Sequence, residues 1–169
     1  MRKIILNLAV SLDGFIEGPN GEYDWCFTDQ DYGMTAFLKR ADAIFFGRKS
    51  YEILVSTEKD PYPEKEKYVF SRTMKSAAPG VKIIGDGFIQ EVMRIKGRPG
   101  KDIWLFGGAS LTSNLLNERL VDELQLSIHP VLLGNGKPLF HGLNMPMKVT
   151  LIDTKEYSTG LIQLCYRVE

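Results

Sequence analysis

The sequence predicts an α/β fold in which helices cover a mixed, mainly parallel β-sheet that is completed by antiparallel strands near the C-terminus. Short apolar runs that end in glycine or a turn alternate with segments of helical spacing through the first two thirds of the chain. In the last third, apolar and polar residues alternate, which is typical of antiparallel strands. Because 169 residues are enough to bury one large core, we expect a single domain over residues 1–169.

Five buried strands are predicted from the apolar runs, because near-continuous runs of this kind are typical of parallel strands covered on both faces. The predicted ranges are 4–10, 43–46, 68–70, 81–84 and 103–106. Most of these runs are followed directly by a glycine, which indicates a tight turn into the next helix.

Four helices are predicted between these strands from apolar residues that repeat at intervals of three and four. We expect Thr28 and Asp29 to cap the first helix, which buries a stripe that includes Met34, Phe37 and Ala41. The other three helices are predicted at residues 49–54, 88–95 and 109–117.

The C-terminal third is predicted to add antiparallel strands to the sheet. Residues 124–128 alternate strictly, and residues 149–157 and 161–168 are joined by Ser158, Thr159 and Gly160. A glycine-bearing turn between two strand-like segments is typical of a β-hairpin.

Composition excludes several classes of function. Lys plus Arg and Asp plus Glu each number 21, so the formal net charge is zero, whereas binding to nucleic acid needs a clustered basic excess. No apolar run reaches the length of about 18 residues that a membrane span needs, and we expect no export signal. Two cysteines are too few for a disulfide framework. We therefore expect a cytoplasmic protein with a small-molecule partner.

Catalytic metal chemistry is not expected either. His129 and His141 have no cysteine or glutamate at the spacing of a zinc site, and the chain contains no nucleophilic serine motif. Gly85, Asp86 and Gly87 are interpreted as a turn in which Asp86 caps the third helix, because the third glycine of a dinucleotide fingerprint is missing.

Glycines at the ends of two predicted strands indicate anion binding. Gly107 and Gly108 stand between a strand and a helix start, where the free N–H groups of the first turn favour a phosphate. Gly47 is followed by Arg48 and Lys49, two cations that oppose the helix dipole unless an anion is bound. The alternatives are a plain tight turn at the first position and a solvated cation pair at the second.

A third anion site is indicated by Ser71 and Arg72, which follow the apolar run 68–70. Three such sites exceed what one phosphate needs, but the ends of neighbouring parallel strands line one edge of a sheet and can surround one dinucleotide. Two arginines suit a 2′-phosphate, which favours NADPH over NADH.

Few residues are candidates for substrate contacts. Among the acidic residues near the first helix, we expect most to be solvated or to cap the helix and one to orient a substrate. Trp25, placed at the start of that helix, is a candidate wall of the substrate pocket, with a core position as the alternative.

Five motifs, in this order, resemble those of the dihydrofolate reductase superfold. They are AVSLDGFI at 9–16, FGRKSYE at 46–52, FSRT at 70–73, FGGASL at 106–111, and PVLLGNG at 130–136 followed by PLF at 138–140. Within the last of these, Gly134, Asn135 and Gly136 with Pro138 are interpreted as a loop. More narrowly, the chain resembles the C-terminal reductase domain of bacterial bifunctional riboflavin-biosynthesis deaminase-reductases, in a stand-alone form.

The resemblance implies a three-layer α/β/α fold with an eight-stranded mixed sheet, NADPH as cofactor, and hydride transfer to a heterocycle or a sugar imine. It implies that the nicotinamide is bordered by Ala9 and Ile16. It implies that phosphates are held by Gly47, Arg48, Lys49 and Ser50, and the adenosine 2′-phosphate by Ser71 and Arg72. It implies that the pyrophosphate is cradled by Gly107, Gly108, Ser110 and Leu111.

The resemblance leaves more than one substrate open. Folate reductases place a carboxylate at the start of the first helix, for which Asp29 and Asp31 are both candidates and are our predicted catalytic residues. Their arginine that binds the glutamate tail has no counterpart between Glu52 and Lys67, which disfavours dihydrofolate. The favoured reaction resembles that of 5-amino-6-(5-phosphoribosylamino)uracil reductase. The alternatives are dihydrofolate reductase activity and a nucleotide-binding module without turnover, and the relatives imply a homodimer.

Overall fold

An eight-stranded sheet runs through the computed structural model, which describes residues 1–56 and 59–169. The strands are β1 Ile4–Ser11, β2 Phe15–Glu17, β3 Ala41–Gly47, β4 Glu66–Phe70, β5 Val81–Ile84, β6 Asp102–Gly107, β7 Glu123–His129, β8 Lys137–Pro138, β9 Val149–Glu156 and β10 Ile162–Val168. The helices are α1 Met34–Arg40, α2 Arg48–Val55, α3 Phe88–Gly97 and α4 Ala109–Asn117.

The order of strands in the sheet is β5-β4-β3-β6-β1-β7-β10-β9. All neighbouring pairs from β5 to β7 are parallel, and β10 is antiparallel to both β7 and β9. The mixed, mainly parallel sheet with a C-terminal hairpin therefore confirms the predicted fold class.

Two apolar clusters cover the two faces of the sheet. On one face, α1 and α2 pack through Phe37 and Tyr51 against Ile5, Phe46 and Trp104. On the other face, α3 and α4 pack against the alternate residues of the same strands. Because side chains alternate across a strand, each central strand contributes to both clusters, which explains its near-continuous apolar sequence. None of the described helices is long and apolar enough to cross a membrane.

The start of the first helix differs from the prediction. The expected cap at Thr28 and Asp29 is wrong, because both lie in a loop and α1 begins at Met34 after Gly33, whose φ is 79°. Instead, the Asp31 carboxylate accepts a hydrogen bond from the Thr35 backbone N–H at 2.9 Å. The carboxylate thus satisfies one of the free donors of the first turn from outside the helix.

The prediction that α1 extends to Ala41 is also wrong, because the helix ends at Arg40. Ala41, expected on the buried stripe of the helix, is instead the first residue of β3, with an extended backbone. It is nevertheless buried and belongs to the cluster around Phe37 and Trp104. Burial alone therefore did not distinguish the last turn of a helix from the first residue of the next strand.

Buried cations are paired at the amino ends of the strands. Lys96 donates to the Asp122 carboxylate at 2.6 Å and to the Leu120 carbonyl at 3.0 Å. Arg2 binds Asp42 in the same region. Pairing of this kind offsets the cost of removing a charge from water.

A small second sheet, β2 with β8, was not predicted, and residues 137–138 form a strand where a loop was expected. It depends on Gly136, which has a φ of 150°. A Cβ at this position would lie 2.3 Å from the carbonyl oxygen of Glu17, so only glycine fits without moving the backbone.

We predict that Gly136→Ala destabilises the protein by about 1–3 kcal/mol more than Gly142→Ala does, because overpacking against backbone costs about this much. Gly142 is the matched control, since its φ is also positive (65°) and a Cβ there would meet no atom within 4 Å. Urea unfolding of both variants measures the difference. Equal losses of stability would show that the contact with Glu17 carries no cost.

Candidate functional site

The carboxyl ends of the parallel strands meet at one edge of the sheet, and the candidate site follows that edge. Because β4, β3 and β6 are neighbours, the turns that begin at Ser71, Gly47 and Gly107 lie next to one another. Two cavities of about 490 and 310 Å³ lie along them. We call the two together the groove, since they share the lining residues Gly47, Arg48, Ser110 and Leu111.

The turns after β3 and β6 approach each other closely. A Cβ on Gly47 would lie 3.4 Å from the Gly107 carbonyl oxygen and 3.5 Å from the Gly108 nitrogen. The Gly108 N–H donates to the Ser50 hydroxyl at 3.1 Å and so ties α2 to this turn. The two turns are therefore in contact, and the Gly108–Ser50 hydrogen bond holds the two helix N-termini side by side at the groove.

Both helix N-termini have free donors. The structure shows no side-chain cap at the start of α2 or α4 and no acidic residue in the first turn of either. N–H groups in the first turn of a helix have no partner within the helix, and the helix dipole favours an anion there. The two termini are therefore suited to phosphate groups.

The cations of the groove are weakly paired, in contrast to those at the other edge of the sheet. Arg48 has one exposed partner, Glu52, at 3.5 Å. Among the described residues, neither Lys49 nor Arg72 has an ion-pair partner. Exposed pairs contribute little to stability, so these charges are available to a ligand.

The turn after β4 is built around Ser71. Its hydroxyl accepts hydrogen bonds from the backbone N–H groups of Thr73 at 3.2 Å and Met74 at 3.0 Å. The Ser71 N–H donates to the Ile84 carbonyl of β5 at 2.9 Å. These bonds fix the backbone on both sides of Arg72, which lines the groove.

The residues that the resemblance assigns to the cofactor are largely brought together. Those that line the groove are Ile16, Gly47, Arg48, Lys49, Ser50, Ser71, Arg72, Gly108, Ser110 and Leu111. Ala9 lines a different cavity, and Gly107, the last residue of β6, is not among the lining residues of the groove. Asp86 also lines the groove, and α3 has no side-chain cap, so the prediction that Asp86 caps this helix is wrong.

A separate cavity of about 370 Å³, which we call the pocket, lies between the loop before α1 and strands β7 and β10. Its lining includes Ala9, Asp31, Ser127, His129 and Gln163. Leu8 also lines it and lies 3.8 Å from the position of a Cβ on Gly107. The pocket therefore adjoins the turn that opens onto the groove.

His129 is the buried polar centre of the pocket. Its Nε2 accepts a hydrogen bond from the Phe27 N–H at 3.1 Å, so the ring proton is on Nδ1, which donates to the Ser127 carbonyl at 3.0 Å. Burial lowers the pKa of His129 below its ordinary value of 6.5. The histidine is thus a neutral ring that holds the loop against β7.

Asp31 and Asp29 occupy different positions. Asp31 lines the pocket, and the hydroxyl and backbone N–H of Thr35 lower the pKa of its carboxyl group. Asp29 lies outside the lining, and its carboxylate accepts a hydrogen bond from the Tyr32 hydroxyl at 2.7 Å. Asp31 can therefore present an ionised carboxylate to a ligand in the pocket, whereas Asp29 supports the loop.

Trp25 does not line the pocket but packs edge-on against His129, with 5.3 Å between ring centroids. It lies in a turn well before α1 rather than at the start of that helix. It supports the pocket through the histidine. Its buried indole N–H has no hydrogen-bond partner in the described part of the chain.

Sequence reasoning missed the polar wall formed by Ser127, His129 and Gln163. A signal was present in β7, where Gln125, Ser127 and His129 alternate with apolar residues and so share one face. Gln163 joins them because it pairs with Ser127 across the antiparallel strands. That pairing depends on the register between β10 and β7, and the alternation of apolar and polar residues along each strand does not define this register.

Comparison with known sequences gives a consistent result. A model of the RibD C-terminal domain family matches residues 2–163. The uncharacterized protein YyaP of Bacillus subtilis (strain 168) is 48% identical, with 98% of this chain and 94% of YyaP covered. A second uncharacterized protein of that organism, YwjB, is 36% identical, with 98% and 97% covered.

Solved structures share the fold. A Shewanella sp. PV-4 protein provisionally assigned to riboflavin biosynthesis is 28% identical, with 100% of this chain and 99% of that chain covered and a TM-score of 0.87. The Thermotoga maritima diaminohydroxyphosphoribosylaminopyrimidine deaminase/5-amino-6-(5-phosphoribosylamino)uracil reductase is 15% identical, with 99% and 57% covered and a TM-score of 0.75. Dihydrofolate reductase from Enterococcus faecalis, solved with NADP(H) and RAB-propyl, is 15% identical, with 99% and 96% covered and a TM-score of 0.69.

We predict that His129 makes stability fall as the pH drops below about 6.5. Above that pH the ring is neutral in both the folded and the unfolded protein. Below it, His129 is protonated in the unfolded chain but stays neutral in the folded protein until the pH reaches its lowered pKa. The loss has a slope of at most about 1.4 kcal/mol per pH unit. Urea unfolding between pH 7.5 and 5.0 measures it.

The variant His129→Gln should lose this part of the pH dependence, and His141→Gln, at an exposed position, should retain it. An unchanged pH profile in His129→Gln would assign the dependence to other groups.

Proposed function

The chain belongs to the RibD C-terminal domain family, and from this premise we propose that it is an NADPH-dependent reductase that transfers hydride to a pyrimidine- or pterin-type heterocycle. The observation that carries the proposal is the groove at the carboxyl edge of the sheet. There, two uncapped helix N-termini and the cations Arg48, Lys49 and Arg72 converge.

The residues of the groove fit NADPH. Its lining joins three strand ends, as an extended dinucleotide requires. We assign the pyrophosphate to the first turns of α2 and α4, where backbone N–H groups such as that of Ser110 have no partner within the helix. We assign the 2′-phosphate to Ser71 and Arg72, because an arginine without a competing carboxylate can bind phosphate bidentately.

NADPH, when bound, supplies the hydride, and the chain supplies binding, orientation and shelter from water. Ala9 and Leu8 line the pocket next to the groove, so this is where a ring can lie beside the nicotinamide end. Asp31, Ser127 and Gln163 offer hydrogen-bond partners that orient such a ring. The neutral His129 holds the loop that closes the pocket.

The reaction class is proposed from the relatives as well as from the pocket. The Thermotoga maritima structure carries the activity name 5-amino-6-(5-phosphoribosylamino)uracil reductase, and we propose a reduction of this type. We also propose a cytoplasmic location, supported by the two free cysteines, Cys26 and Cys165. The homodimer and the exclusion of nucleic acid and membrane partners stay predictions, which light scattering and binding assays can test.

We predict that Arg72→Ala raises the Kd of NADPH about tenfold or more and leaves the Kd of NADH unchanged. A hydrogen bond to a charged group contributes about 1.5–3 kcal/mol, and only NADPH carries the 2′-phosphate. Titration followed by tryptophan fluorescence measures both constants.

Arg48→Ala should weaken both cofactors, and Arg94→Ala is the matched control, because Arg94 pairs with Glu91 on α3 outside the groove. If neither Arg48→Ala nor Arg72→Ala changes the affinity for NADPH, the proposed cofactor site is incorrect. Constant NADPH absorbance with every pyrimidine and pterin tested, despite tight binding, would favour a nucleotide-binding module instead.

A further inference from the structure

The groove carries several cations, whereas the pocket lining carries none among the described residues. Residues 4–38 contain six carboxylates and no lysine or arginine; of these six, Asp31 lines the pocket and Glu17 lines the groove. This segment supplies β1 and the loop before α1, and therefore most of the pocket wall. The groove is lined by four cations, Arg48, Lys49, Arg72 and Lys137, and by two carboxylates, Asp86 and Glu17, of which Glu17 pairs with Lys137 at 3.2 Å.

Within the pocket, Asp31 is the charged group among the described lining residues, which include no lysine or arginine. Its carboxylate is ionised at neutral pH, since hydrogen bonds from Thr35 lower the pKa. His129 adds no positive charge, because burial lowers its pKa. The pocket wall is therefore anionic.

Two cations lie in the adjacent cavity, which shares Gln163 with the pocket. Arg40 is already paired there, with Asp102 at 2.7 Å and Glu123 at 2.6 Å. Lys155 lies over the Tyr157 ring at 4.8 Å from its centroid, and its charge contributes to the lowered pKa of Asp31. Lys155 thus offsets the acidic wall only in part, because Asp153 lines the same cavity.

A phosphate group on the substrate would be poorly accommodated. A dianion needs cations or several N–H donors to replace its water, and it would lie near a carboxylate of like charge. The uncharged groups of the pocket suit a heterocycle better. The Gln163 amide nitrogen has only long contacts, 3.4 Å to the Tyr32 carbonyl and 3.5 Å to the Ser127 hydroxyl, so it can bind a ring carbonyl or nitrogen.

Building on the proposed reductase function, we propose that the pocket accepts a heterocycle without phosphate, uncharged or protonated on nitrogen, and rejects the phosphorylated form of the same compound. The cationic groove then serves the phosphates of the cofactor alone.

The charge of the pocket can be measured without knowledge of the substrate, because Cys26 lines it. In a Cys165→Ser background, Cys26 is modified by a cationic and by an anionic methanethiosulfonate, and the ratio of the two rates is measured. This ratio is then divided by the ratio for the same two reagents with 2-mercaptoethanol. Burial and the charge of Asp24 raise the pKa of Cys26 to about 11; the low thiolate fraction slows both reagents alike and cancels in the ratio.

We expect the ratio to favour the cationic reagent several-fold over the small thiol, because Asp31 lines the same cavity as Cys26 and the charge of Asp24 also acts on the Cys26 thiol. Asp31→Asn should reduce this preference, and Glu118→Gln, the same change on an exposed surface outside the pocket, should not. No cationic preference in the parent protein overturns the proposal.

Selection is tested directly with one pair of ligands, 5-amino-6-ribosylaminouracil with and without its 5′-phosphate, added to the protein saturated with NADPH. We expect the form without phosphate to be reduced with a KM at least tenfold lower, and Asp31→Asn to narrow that difference. Equal or better use of the phosphorylated form, or use of neither, overturns the proposal. NADPH binding is measured separately by fluorescence, so failure of the cofactor site is distinguished from failure of the substrate selection.

Discussion

The close approach of the β3 and β6 backbones at their carboxyl ends is the constraint on which the rest of the site depends. A Cβ on Gly47 would be in van der Waals contact with Gly107 and Gly108, and Gly107 has a φ of 122°, which favours glycine. Because the turns approach so closely, the N-termini of α2 and α4 open side by side, and the Ser50 hydroxyl joins them. The groove is a direct consequence, since its two cavities share the residues on both sides of this contact.

Much of the groove could be predicted from the sequence, because its chemistry lies in short segments that end strands. Glycine, arginine and serine directly after a buried strand indicate an anion site, and parallel strands bring such ends to one edge. The pocket could not be predicted in this way. Gln163 reaches Ser127 through the antiparallel register of β10 with β7. The loop before α1 contacts His129 through the hydrogen bond from the Phe27 N–H and through packing of the Trp25 and Phe27 rings.

The first helix shows why local signals fail near the pocket. Thr28 and Asp29 are typical capping residues, yet the cap is made from a distance by Asp31, and Gly33 sets the true helix start. The same carboxylate therefore has a structural bond to Thr35 and a position in the pocket wall. From the sequence alone, Asp31 could be either a helix-capping residue or a ligand-binding residue. Its position beside β7 and β10 in the folded chain shows that it also lines the pocket.

The cations at one edge of the sheet are buried and those at the other edge are exposed to solvent, so ionic strength affects the two edges differently. At the amino edge, Lys96 and Arg2 are buried and directly paired, so dissolved ions screen these pairs little. At the carboxyl edge, Lys49 and Arg72 are exposed, and their attraction for a polyanion weakens as the Debye length shortens. Added salt is therefore expected to lower the affinity of the carboxyl edge for an anionic ligand while leaving the stability of the fold nearly unchanged.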